Sequence, residues 1–381
     1  NNQEKEEPKY NNTYISDETS TDFDEIESKE IEEILRKDFN LFESNEESRK
    51  REEVLVKLNE LIKNFIYKCA IKCGMSEDIA KNTGGKIFTF GSYRLGVHGP
   101  GSDIDVLCVA PSHVERSSHF FGDLLNMLKR EKDVTELHDV KDAHVPVIKM
   151  KYCEIQIDLL FAKLSYNNID ENLNSLSDDF ILKNCDRESV LSLNGRRVTD
   201  NILNLVPDAE NFRLTLRVIK LWSNNRGLYS NTFGYLGGVA WAILVAKVCQ
   251  MFPKLKPNKL IRKFFEVYSV WDWSKEPVLL NEISEPSFNC PVDVFNPKQS
   301  KFLMAIVTPA FPANNSTYNT SETTKRILLK EFDFFKKFTN LISYSKSINT
   351  RKGFQWKDFF NEIDFFSYYS CFMQIDILSK N

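Results

Sequence analysis

Two aspartates stand at the head of an apolar run in "GSYRLGVHGPGSDIDVLCVA", residues 91–110, and nothing else in the chain limits the fold as much. Buried strands seldom begin with carboxylates. Asp103 and Asp105 lie two apart, so on a strand their side chains leave from the same face. Held within a few ångström, one of the two is pushed toward protonation unless a cation sits between them. A divalent metal is the natural compensation, because Mg²⁺ takes one or two carboxylates together with the phosphates of a substrate. The bland alternative is a solvated strand start or a turn cap.

Two neighbouring features weigh against that alternative. In "CEIQIDLLF", residues 153–161, Ile155, Ile157 and Leu159 alternate with Glu154, Gln156 and Asp158. Asp158 therefore shares the polar face of a second strand, and two-metal phosphoryl chemistry, with ions ~3.5–4 Å apart, ordinarily needs such a third acid. Gly91-Ser92 lies between a strand, Lys86–Phe90, and a short helix carrying Tyr93-Arg94-Leu95. A Gly-Ser step there offers backbone N–H groups and a hydroxyl to a phosphate, or serves as an ordinary N-cap. Ten residues separate Ser92 from Asp103, enough for a helical turn and a return into the adjacent strand. Cradle and carboxylates then face one pocket, which suits a nucleoside triphosphate held by its tail with metals at its α-phosphate.

With 381 residues the chain is long for one domain, and two are expected. Residues 1–25 read as a disordered acidic leader. The first convincing helix runs from Glu47 to Cys73, with Val54, Leu58, Leu61, Ile62, Phe65 and Cys69 at three- and four-residue steps. Strands are expected over Lys86–Phe90, Ile104–Ala110, Val145–Met150 and Cys153–Phe161, and a helix over Phe120–Lys132. Beyond Val206-Pro207, the expected domain junction, long apolar helices take over: Asn211–Asn225, Tyr235–Phe252, Ile261–Trp271 and Glu322–Tyr344. A Pro-rich connector spans Pro277–Pro312. The final "FFSYYSCFMQIDIL" reads as an aromatic strand that opens a further domain.

The net charge of −4 hides an asymmetry: residues 1–50 carry 16 acidic and 7 basic side chains, which leaves the rest of the chain mildly basic. That permits an anionic partner without demanding one. Eight cysteines at irregular spacings and five histidines show no metal-ligand spacing, and Cys69 and Cys73 read as packing residues. No signal peptide opens the sequence, so sequons such as Asn11-Asn12-Thr13 carry no weight. The longest apolar run, Gly234–Ala246, is shorter than the ~20 residues of a bilayer span. A soluble, reducing, intracellular setting is expected.

The segment "FTFGSYRLGVHGPGSDIDVLCVAPSHV" resembles the active-site region of the eukaryotic nuclear poly(A) polymerases, members of the DNA polymerase β-like nucleotidyltransferase superfamily. The resemblance continues through "HVPVIKMK", "LNGRRVTDNILNLVP", "RVIKLW", "GYLGGVAWAILVAKVCQMFP" and "SETTKRILLKEF", over roughly residues 48–375. It implies an α+β fold: a mixed-sheet, polymerase β-like palm domain over residues 26–206, a helical central domain over 207–350, and at 351–381 the start of a truncated RRM-like RNA-binding domain. It also implies template-independent transfer of AMP from ATP to RNA 3′ ends in the nucleus, with Mg²⁺ or Mn²⁺. Partners would be RNA, ATP and mRNA 3′-end processing factors around a monomer, with no membrane. By this resemblance Asp103, Asp105 and Asp158 bind the metals, while Phe90, Gly91, Ser92 and Ser102 hold the triphosphate. Lys220 and Tyr229 reach the phosphates, Asn231 the base or ribose, and Gly238 and Val239 wall the base. Val145 and Lys149 lie beside the base and the RNA end. The rival readings are a transferase preferring UTP or a small-molecule acceptor, and a catalytically dead RNA-binding subunit.

Overall fold

The computed structural model describes residues 15–285, 287–347, 355–368 and 370–378. Residues 1–14, with the sequon at Asn11, lie outside that set.

Helices α1 (Asp22–Lys37), α2 (Asn45–Lys72) and α3 (Glu77–Lys81) precede a five-stranded sheet. Its strands are β1 (Lys86–Phe90), β2 (Ile104–Ala110), β3 (Val134–Val140), β4 (Val147–Tyr152) and β5 (Ile155–Lys163), in spatial order β1-β2-β5-β4-β3. Only β2 and β5 run parallel. Helix α4 (Gly91–Leu95) follows β1, and a π-helical stretch, Arg116–Leu124, runs into α5 (Leu125–Leu128). One face of the sheet presents Ile104, Val106, Ile157 and Leu159 to α2, whose Val54, Leu58, Ile62 and Phe65 complete that core. The other face presents Leu107, Val109 and Ala162 to Val190 and Leu193 of α6 (Arg187–Leu205). With both faces covered, the central strands must be apolar on both sides except where the sheet ends at a cleft.

The second layer is helical: α7 (Ala209–Asn225), α8 (Gly238–Met251), α9 (Pro257–Val270) and α10 (Glu322–Ser347). Trp222, Trp241, Phe264, Phe265 and Phe332 fill its centre. The short helices α11 (Trp356–Phe359) and α12 (Phe365–Tyr368) close the described chain. Among the described residues no helix is long and apolar enough to cross a membrane.

Four expectations need correction. Part of the expected leader is ordered: α1 begins at Asp22, and Ser16 and Asp24 are buried. Its Ile31 and Leu35 lie in the helical core, and its acidic face meets α9, where Arg262 holds Glu27 at 2.8 Å and Lys259 lies 3.4 Å from Asp24. The compensating cations are over two hundred residues away in sequence, so local composition alone suggests disorder. Strand β3 was not foreseen; it is an edge strand, "VTELHDV", with every residue at least partly exposed, and so lacks an apolar alternation. The Phe120–Lys132 helix is displaced toward Arg116 and is π-helical over most of its length. The aromatic C-terminal strand does not form: among the described residues of 363–378 only α12 is regular.

Just before that segment the chain belongs to the helical core. Trp356, Phe359 and Phe360 are buried there, and the Trp356 indole N–H donates to Glu27 at 2.8 Å. Trp356→Ala should lower the free energy of unfolding by about 3–5 kcal/mol, through a cavity and a carboxylate deprived of a donor. Urea unfolding monitored by circular dichroism measures it, and an unchanged midpoint would detach this segment from the core.

Candidate active site

Sheet register brings the chemistry together. Phe90 pairs with Asp105, Asp105 with Asp158, and Asp158 with Lys149, so four residues from four strands form one row across the sheet. Asp105 and Asp158 leave on the α6 side, the face of Leu107 and Ala162, at the end where apolar cover stops. Carboxylate oxygens of Asp103, Asp105 and Asp158 lie within 4.8 Å of one another. Burial, then the charges of Asp103 and Asp158, push the Asp105 carboxyl up to about 7, while Lys149 and Lys220 pull the other way. The Lys149 ammonium contacts Asp158 directly. Three hard oxygen donors with surplus negative charge fit a divalent cation.

Gly91 is held against this cluster. Its φ is +61°, and a Cβ built on it would stand 2.1 Å from Oδ2 of Asp105, so no side chain fits. The Gly91 N–H, expected to face a phosphate, instead donates to Thr199 Oγ1 at 3.2 Å. Ser102 closes a turn: its hydroxyl accepts from Gly99 N–H at 3.1 Å, and its own N–H donates back to Gly99 at 3.2 Å. Phe90 rests on Gly195 of α6, where a Cβ would come within 2.8 Å of its ring.

The helical layer supplies the opposite wall. Lys220 on α7 and Tyr229 after it are half-buried beneath the carboxylates. Burial lowers the Lys220 pKa, Arg217 adds to that, and Asp103 and Asp105 raise it. Burial and the same two aspartates raise that of the Tyr229 hydroxyl. A Cβ on Gly238 would meet the Tyr229 oxygen at 2.8 Å, so Gly238 lets the phenol approach α8. Asn231 lies over Gly237, and its Oδ1 is buried without a hydrogen-bond partner among the described residues. Val239 is exposed. Val145 lies in the loop just before β4, with no hydrogen bond tying it to the carboxylates among the described residues.

Several residues that hold the site were not singled out from sequence. Arg94 of α4 donates to Asp200 at 2.9 Å, Arg196 donates to the other oxygen of Asp200 at 2.5 Å, and Arg196 also reaches the Thr89 carbonyl at 2.8 Å. With the Thr199 bond, this ties the cradle to α6. Glu43 bridges Arg51 and His98, both at 2.8 Å, and pins the loop leading to Asp103 onto α2. "NGRRVTD" (194–200) sets two arginines and an aspartate in the middle of α6, which was the available signal; Glu43 gives none. A second cluster joins Cys69, His119 and Asp123; there His119 Nδ1 accepts from Glu115 N–H at 2.9 Å and Asp123 accepts from Lys72 at 2.6 Å.

The Asp105 shift has a signed consequence. Between the ordinary carboxyl range of ~4 and about 7, the folded chain keeps a proton that the unfolded chain releases, so ionisation costs the metal-free fold stability as pH rises through that window. A cation must displace the same proton. Calorimetric titration with Mg²⁺ should therefore give about tenfold weaker binding at pH 6 than at pH 8, with proton release at the lower pH. A pH-independent affinity would contradict the shift.

Comparison with known proteins agrees with this geometry. Residues 13–206 match the family described as poly(A) polymerase nucleotidyltransferase domain, and residues 211–362 that described as poly(A) polymerase central domain. A poly(A) polymerase of Dictyostelium discoideum is 50% identical over 355 residues, 93% of this chain and 42% of that protein. Nuclear poly(A) polymerase 1 of Arabidopsis thaliana is 45% identical over 363 residues, 95% of this chain and 50% of that protein. The chain thus spans about half the length of the curated relatives it matches. Among solved structures, the Cid1 poly(U) polymerase superposes with a TM-score of 0.57 at 15% identity, covering 88% of this chain and 98% of that one. At that identity it shows a shared polymerase β-like nucleotidyltransferase fold. On the sequence match through both layers, the chain belongs to the poly(A) polymerase family.

Proposed function

We propose that this chain transfers AMP from ATP to the 3′ end of RNA, without a template, releasing pyrophosphate. The observation that carries the reading is the convergence of three carboxylates within 4.8 Å beside a glycine that no Cβ could replace. The 3′-oxygen of the RNA attacks the α-phosphorus in line; the O3′–P bond forms as the bond to the β-phosphate bridging oxygen breaks. Divalent cations, Mg²⁺ or Mn²⁺, held by Asp103, Asp105 and Asp158, would acidify the attacking hydroxyl and neutralise charge on the leaving pyrophosphate.

The remaining residues position the reactants. Phe90, Gly91 and Ser92 cradle the triphosphate, with Ser102 shaping the turn that delivers Asp103. Lys220 and Tyr229 meet the phosphates from the helical side. Gly238 and Val239 flank the base, and the unpartnered Asn231 oxygen accepts from the adenine amino group or a ribose hydroxyl. Val145 and Lys149 border the RNA end, where Lys149 exchanges Asp158 for a phosphate once the carboxylate is otherwise neutralised. The catalytic unit covers residues 26–206 and the helical unit 207–350, and closure about Val206-Pro207 brings the two walls together. The relatives named nuclear support a nuclear site of action, and we take mRNA 3′-end processing factors as partners of a monomer as part of the same proposal.

Asp103→Ala and Asp158→Ala should each abolish nucleotide addition, with circular dichroism unchanged; turnover near wild type in either would defeat the assignment. Gly91→Ala should lower kcat/KM for ATP at least ~10²-fold, because a displaced Asp105 spoils the reacting geometry. Incubating oligo(A) with Mg²⁺ and each nucleoside triphosphate separately should extend the primer with ATP. Preferential extension with UTP would support the uridylyl reading, and RNA binding without any incorporation the inactive-subunit reading.

A further inference from the structure

At the end of α4, lined by none of the three carboxylates, α1 and the first turns of α7 and α9 border a cavity of about 480 Å³. Five cationic side chains line it, Lys29, Arg36, Arg213, Arg217 and Lys256, against three acidic ones, Glu25, Glu32 and Glu210. Each acid already has a cation: Lys256 at 2.8 Å for Glu25, Arg36 at 2.7 Å for Glu32, and Arg213 in direct contact with Glu210. The balance is two positive charges in excess.

The excess is concentrated. The guanidinium groups of Arg36 and Arg217 lie 3.7 and 4.4 Å from the centroid of one ring, Phe42, so two like charges share a single aromatic surface. Burial, and next the Arg36 charge, push the Arg217 guanidinium down to about 10. Arg217 spends Nη1 and Nη2 on the carbonyls of Leu41, His98 and Gly96, Arg36 spends Nε and Nη2 on Glu32, and Arg213 spends Nε and Nη1 on Leu95 and Glu210. Each of the three therefore keeps one nitrogen without an acceptor among the described residues: Nη1 of Arg36, Nη2 of Arg213 and Nε of Arg217. Cationic N–H donors left over in this way suit the oxygens of a phosphate, one from each guanidinium.

We propose that this cavity is a second anion site that binds a phosphate-type oxyanion, inorganic phosphate or pyrophosphate, separately from the catalytic cleft. Arg217 would then join the ligand to the loop of Gly96 and His98, five to seven residues before Asp103. The test is calorimetric titration of the whole chain with pyrophosphate, and separately with phosphate, in EDTA at constant ionic strength set by chloride. Binding of either anion is expected, weakened at least tenfold in Arg36→Ala and in Lys256→Ala. Lys37→Ala, on the same helix but outside the cavity lining, should leave it unchanged, as should Lys220→Ala in the cleft. Circular dichroism confirms that each variant is folded; Arg36 and Lys256 are exposed enough for truncation to be tolerated. The proposal is overturned if wild type binds neither anion, if Arg36→Ala and Lys256→Ala bind as wild type does, or if Lys220→Ala abolishes binding.

Discussion

The parallel pairing of β2 with β5 sets Asp105 opposite Asp158, and the cleft is organised around the repulsion this creates. Ordinary sheet pairs bring side chains to about 5 Å, where like charges oppose folding. Here the ladder is anchored below by apolar partners on both faces, from Val106 and Leu159 toward α2 to Leu107 and Ala162 toward α6. The cooperative burial of those side chains holds the acids together against their charge. The result is a cluster whose negative charge is only partly offset by Lys149 and Lys220, with burial and the neighbouring acids pushing the Asp105 carboxyl up to about 7.

Holding the acids is half the problem; Gly91 and α4 must sit at a fixed distance from them. Gly91 meets Asp105 closely, and α6 holds α4 in place there through Thr199, Asp200 and Arg196. On the opposite side Arg217 fastens the loop after α4 to the helical layer through the Gly96 and His98 carbonyls, and Glu43 fastens it to α2. The loop leading to Asp103 is thus held from both layers.

The helical layer also explains the acidic N-terminal region. Helix α1 carries Asp24 and Glu27 into a buried contact with α9, where Asn258, Lys259, Arg262 and the Trp356 indole satisfy them. Buried ion pairs contribute little net stability when every partner is present and cost much when one is removed. Their effect here is to specify where α1 and the Trp356 segment dock, joining residues from both ends of the described chain to one core.

The residues that carry charge and small size were legible because their chemistry is local. Asp-x-Asp before an apolar run, Gly-Ser after a strand, and the alternation around Asp158 each report a face or a turn within a few residues, and the period of two puts both aspartates on one side whatever surrounds them. Long apolar helices after Val206 announced the second layer for the same reason. Sequence could not tell that Gly91 N–H belongs to Thr199, that Lys149 pairs with Asp158, or that Arg36 and Arg217 share the Phe42 ring, because each joins segments far apart in the chain. Sequence by itself determined which side chains can do the chemistry and which face of its element each occupies; only the tertiary structure decided which of them meet, because register, burial and the partner of every charge are set by packing between elements.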